Sequence, residues 1–86
     1  MKSLISSFAG IGYRLEKSKQ CGSWSVFYYV FYGDGSPCAY LPPMAFLLLQ
    51  KSGLRYGVGY DHSTGLLFIR FYKLWQKGKS FKLESV

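Results

Sequence analysis

The sequence predicts a small α+β domain, a curved antiparallel sheet of about five to six strands with one short helix packed on it, in the order β–β–β–α–β–β–β. Three observations carry this reading. Apolar residues alternate with polar ones in several stretches. An Asp-Gly pair lies between two strand-like runs, and a Pro-Pro pair opens an apolar run that closes at a glycine.

The first alternating stretch is Gly10 to Lys17. Ile11, Tyr13 and Leu15 point one way, Arg14 and Glu16 the other, as a strand requires. Ser18 to Ser23 is small and polar, hence a loop. Trp24 to Tyr32 (WSVFYYVFY) is almost wholly β-branched or aromatic, the composition of a strand covered on both faces. Asp34-Gly35 then predicts a two-residue type I′ hairpin, with positive φ at both central residues. In that register Gly33 pairs with Ser36, Phe31 faces Cys38 and Tyr29 faces Tyr40. Pro37 to Leu41 is the returning strand, at a sheet edge because Pro37 has no N–H for a ladder.

Pro42-Pro43 changes the period. Pro43 suits a first helical turn, Met44 to Lys51 (MAFLLLQK) is rich in helix formers, and Gly53 is the C-cap signal. Lys51 falls in the last turn, where the helix dipole favours a cation. Met44, Phe46, Leu47, Leu48 and Leu49 are apolar nearly all round, so this helix is expected to be buried on the sheet. Beyond it, Leu54, Tyr56, Val58 and Tyr60 alternate with Arg55, Gly57 and Gly59. Asp61 to Gly65 is a turn, Leu66 to Trp75 (LLFIRFYKLW) the longest strand, and Ser80 to Val86 a last one.

Composition bounds what the chain can do. Its 86 residues allow one domain, 1–86. An apolar content of 49% excludes a disordered basic tail. Eight Tyr, seven Phe and two Trp exceed what so small a core needs, which leaves some for a surface or an interface and gives room for a homodimer. Met1 to Phe8 lacks the apolar core of a signal peptide. No run reaches the ~18–20 apolar residues of a membrane-spanning helix. A cytoplasmic chain without a membrane span is the expectation. Basic residues do not fall on an amphipathic helix, which counts against a membrane-surface role.

Cys21 and Cys38 are expected to be plain thiols. In the hairpin register Trp24 stands ~23 Å from Phe31, and the chain back to Cys21 recovers at most ~11 Å. A disulfide needs Cα atoms within ~7 Å. No metal or cofactor motif is present: the Gly10-Ile11-Gly12 and Gly57-Val58-Gly59 pairs lack the third glycine of a dinucleotide fingerprint. Carboxylates are few, namely Glu16, Asp34, Asp61 and Glu84. His62 sits beside Asp61 in a turn, and Asp61 is better placed to cap that turn than to orient an imidazole. The chain is read as not an enzyme.

Charge is the most informative feature. Eleven Lys and Arg against four Asp and Glu give a net charge of +7. From Gln20 to Gln50 the only charged residue is Asp34. Basic residues gather before and after that centre. Arg70 and Tyr72 share one face of their strand, Phe71, Lys73 and Trp75 the other, and Lys77, Lys79 and Lys82 follow. Cations neutralise phosphates, and aromatic faces stack unpaired bases. The expected function is therefore non-enzymatic binding of single-stranded or structured nucleic acid. Arg14, Lys17, Arg70, Lys73, Lys77, Lys79 and Lys82 would meet phosphates, and Tyr72 and Trp75 would stack. The alternative is a small inhibitor or adaptor that binds an acidic or nucleic-acid-binding protein, such as a phage or mobile-element product that blocks a host nucleic-acid-processing complex.

Overall fold

The structure, a computed structural model, describes residues 2–18 and 25–72. Among the described residues it is an α+β domain with a four-stranded antiparallel sheet and two helices on one side. The described elements are α1 (Lys2–Gly10), β1 (Tyr13–Lys17), β2 (Ser25–Tyr32), α2 (Pro43–Ser52), β3 (Tyr56–Asp61) and β4 (Leu66–Tyr72). The sheet order is β1-β2-β4-β3. The class matches the expectation, while the strand number and order differ. The expected last strand, Ser80 to Val86, lies outside the described residues, as do Cys21 and Trp24.

Helix α1 is an element beyond the one helix expected; it meets the expected first strand only at Gly10, and Ile11 and Gly12 form a turn before β1. Leu4 and Phe8 stand four residues apart, so one helical face carries both, and both are buried. Gly12 ends the run at φ +89°, a conformation costly for a side chain-bearing residue. Its carbonyl accepts the Gly33 N–H at 2.8 Å, tying the start of β1 to the turn after β2. From Tyr13 on, the alternation predicted for β1 holds: Leu15 is buried, and Arg14 and Glu16 are exposed.

The Asp-Gly turn is present with a different geometry. Its loop has three residues, because Tyr32 rather than Gly33 bonds to Ser36 (N–H to O, 2.8 Å). Only Gly35 has positive φ, +89°. This is the type I turn closed by a left-handed glycine that three-residue hairpins favour. Asp34 accepts the Ser36 N–H at 2.9 Å. The expected strand Pro37 to Leu41 does not form. Phe31 opposite Pro37 is an isolated bridge, so neither the Phe31–Cys38 nor the Tyr29–Tyr40 facing occurs. The physical reason is twofold: the three-residue loop shifts the register by one, from Phe31–Cys38 to Phe31–Pro37, and at Tyr29 the edge is already taken by β4, with Tyr29 opposite Phe68. Long-range pairing wins where Pro37 has no N–H to offer. Cys38 is a buried free thiol that donates to the Tyr40 carbonyl.

Helix α2 starts with Pro43 in its first turn and ends at Gly53 in the left-handed region, φ 71°, as expected. Its burial does not follow the expectation. Ala45 and Leu49 point inward, while Met44, Phe46 and Leu47 are exposed. An apolar sequence on all sides needs a neighbour on all sides, and among the described residues α2 has α1 and the core beneath it only. The core joins Leu4 and Phe8, Leu15 and Val30, Cys38 and Leu41, Ala45 and Leu49, and Leu67, Ile69 and Phe71. No described helix is long and apolar enough to cross a membrane.

Candidate functional site

Strand register assigns every side chain to a face. Helices α1 and α2 cover the face that holds Leu15, Val30, Leu67, Ile69 and Phe71. The opposite face is composed of three cross-strand rows. Glu16, Tyr29, Phe68 and Gly59 form one row across all four strands. Phe27, Arg70 and Gly57 form the next, and Ser25 and Tyr72 the third. Arg14 and Phe31 extend the face at the turn end of β2. Among the described residues, neither helix lies on this face.

Its surface is aromatic and organised by contacts between rings and guanidinium planes. Phe27 and Phe68 have ring centroids 5.4 Å apart, and Tyr29 meets Phe68 edge-on at 6.5 Å. Arg70 lies 5.3 Å from the ring centres of both Phe27 and Tyr72, while its Nε donates to the Ser25 hydroxyl at 3.2 Å. Arg14 lies 5.2 Å from the Phe31 ring and 3.4 Å from Glu16. Such cation–π placement holds a guanidinium against the rings without neutralising its charge. Gly57 and Gly59 put no side chain beside Arg70 and Phe68, so β3 leaves this part of the face low.

Asp61 closes one end. It accepts the Tyr29 hydroxyl at 3.0 Å and, within its own turn, the Ser63 N–H at 3.0 Å and the Ser63 hydroxyl at 2.7 Å. Those donors hold its carboxyl well below the usual carboxylate range, at about 2, the Ser63 hydroxyl contributing most and Tyr29 next. The same bond to Asp61 raises the Tyr29 phenol above its usual 10.0. Asp61 therefore caps the turn, as the sequence suggested. His62 is exposed, with its ring on the edge of Tyr60 at 5.0 Å. No cluster of three His, Cys, Asp or Glu gathers among the described residues.

Of the residues singled out from sequence, the fold brings Arg14, Arg70 and Tyr72 to this face. Lys17 is exposed but alternates to the other side of β1, opposite Tyr28. Lys73, Trp75, Lys77, Lys79 and Lys82 lie outside the described residues. Phe27, Tyr29, Phe31 and Phe68 were not among the residues singled out. Sequence reading assigned β2 to the core on both faces, and only its pairing with Arg70 and Phe68 shows which half of the strand faces outward. The described charges of the face balance, Arg14 and Arg70 against Glu16 and Asp61. Comparison with known protein families, with characterised proteins and with solved structures found no match.

Proposed function

We propose that this chain is a non-enzymatic nucleic-acid-binding protein that takes a single strand on the face of its sheet opposite α1 and α2. The observation that carries the reading is the paving of the two inner strands, β2 and β4, by Phe27, Tyr29, Phe31 and Phe68, with Arg14 and Arg70 laid against the rings. Unpaired bases expose π-faces that such rings stack on, and a duplex hides them. Arginine combines a planar face for stacking with a fork for phosphate. Phe27 and Phe31 are four residues apart, ~13 Å along β2, so a strand of a few nucleotides can engage both.

Stacking is the principal contribution on this face, because its described charges balance. The overall charge of +7 supplies the electrostatic attraction. In this reading Lys73, Lys77, Lys79 and Lys82, which follow β4 in sequence, contact phosphates, and Trp75 stacks. The test is fluorescence anisotropy with a short single-stranded RNA, the matching DNA, and the duplex of each, over a range of salt. Single strands bind more tightly than duplexes, and log affinity falls linearly with log salt. No binding of any oligonucleotide at low salt overturns the reading and favours the protein-binding inhibitor or adaptor instead.

A further inference from the structure

The side of the molecule away from the aromatic sheet face carries a second surface. Helix α2 buries Ala45 and Leu49, four residues apart, and turns its opposite side outward. Met44 and Leu47 are 53% and 48% exposed and follow one another along the helix, with Lys51 one turn further on. Phe46 flanks them at 40%, and Tyr40, just before the helix, is 64% exposed. Leu54, past the left-handed Gly53, is 40% exposed as well. Scattered apolar residues on a surface are ordinary, whereas five large ones around one short helix call for a partner.

Charge selects the partner. Helix α2 contains Lys51 and no Asp or Glu, and α1 contains no Asp or Glu either. The described acids lie elsewhere: Glu16 and Asp61 on the opposite face of the sheet, and Asp34 in the turn after β2. A second copy would bring another +7 against the first. A surface both apolar and anionic suits the patch on both counts.

We propose that the outward face of α2 docks on an anionic lipid bilayer. Leu47, Met44 and Phe46 enter the boundary between headgroups and acyl chains. Tyr40, with an apolar ring and a polar tip, sits at headgroup level, and Lys51 meets the anionic headgroups. The helix lies in the interface and does not span it. This inference does not rest on the nucleic-acid reading, since the two surfaces are on opposite sides of the sheet.

Flotation of the full chain with vesicles tests it, using phosphatidylcholine alone and phosphatidylcholine with phosphatidylglycerol. The protein floats with the phosphatidylglycerol vesicles. The Met44→Ser, Leu47→Ser double variant binds them ~10-fold more weakly or worse. Lys51→Glu, which removes no apolar side chain, weakens binding as well. Phe68→Ala, on the other face, leaves vesicle binding unchanged. Circular dichroism confirms that each variant is folded. The proposal is overturned if the wild type fails to float with phosphatidylglycerol vesicles, or if the double serine variant floats as well as the wild type. A concentration-dependent dimer that Leu47→Ser abolishes assigns the patch to a second copy and overturns it too.

Discussion

Tyr29 on β2 donates its hydroxyl to Asp61 at the end of β3, 3.0 Å away, reaching over β4, which runs between them. The bond joins two strands that are not neighbours, and it links the aromatic row to the β3–β4 turn. Its consequence is measurable by titration. The folded carboxyl, at about 2, lies below its ordinary value of 3.8. Between those values the unfolded chain binds the proton and the folded one does not, so stability rises with pH there. The contribution is complete above the ordinary value and is lost as pH falls toward about 2. Asp61→Asn should flatten this acid limb of the stability curve. Asp34, also lowered by its bonds to Ser36, leaves a residual slope. In an NMR titration, Ser63→Ala and Tyr29→Phe should each move the Asp61 carboxyl upward, and an unmoved value in Tyr29→Phe would show that the cross-sheet bond is not made in solution.

Stacking and phosphate contact can be separated on the sheet face. Phe68→Ala and Phe27→Ala should each weaken single-strand binding by about 1–3 kcal/mol, the value of one base–aromatic stack. Neither should alter the salt slope, because neither changes a charge. Arg70→Gln should reduce that slope by about one. Anisotropy titrations across a salt series read both quantities, and an unchanged slope for Arg70→Gln would remove Arg70 from the phosphate contacts.

Much of this fold can be read from local sequence, and what cannot is long-range. Helix α2 was legible because its signals are local: Pro43 at the start, Gly53 at the end, helix formers between. So were the alternations of β1, β3 and β4, which separate Arg70 and Tyr72 from Ile69 and Phe71 correctly. Helix α1 has a weaker signature. Leu4 and Phe8 are correctly spaced, but three serines and the absence of an acidic first turn obscure it. The pairing of β2 with β4 has no local signature at all, since residues 39 or more apart in sequence must meet. That pairing displaced the expected strand after Pro37 and put Phe27 beside Arg70. Phe27, Tyr29 and Phe31, three of the four rings that pave the face, were therefore hidden in a segment that reads as core.

The orientation of α2 predicts very different outcomes for two leucines that stand two residues apart. Leu49 is fully buried, so Leu49→Ala should cost about 2–5 kcal/mol through lost transfer energy and a cavity. Leu47 is 48% exposed, so Leu47→Ala should change stability by no more than about 0.5 kcal/mol. Urea unfolding of the two variants checks the assignment. Similar losses at both positions would mean that α2 is covered on its outer side in solution.

Two glycines should respond to alanine with opposite signs. Gly35 has φ +89°, where a Cβ meets the following carbonyl, and the added atom would also lie 3.7 Å from the Arg14 guanidinium. Gly35→Ala should therefore destabilise by about 1–2 kcal/mol, the cost of the left-handed conformation. Gly10 closes α1 without positive φ, and a Cβ there meets nothing within 4 Å. Gly10→Ala should stabilise by about 0.4–1 kcal/mol, because alanine reduces the freedom of the unfolded chain. The pair of measurements bears on function through Arg14. Relaxing the turn at Gly35 displaces the guanidinium that lies against Phe31, so Gly35→Ala should also weaken single-strand binding, whereas Gly10→Ala should leave it unchanged. Equal affinity in the two variants would exclude the Arg14–Phe31 end of the face from the contact.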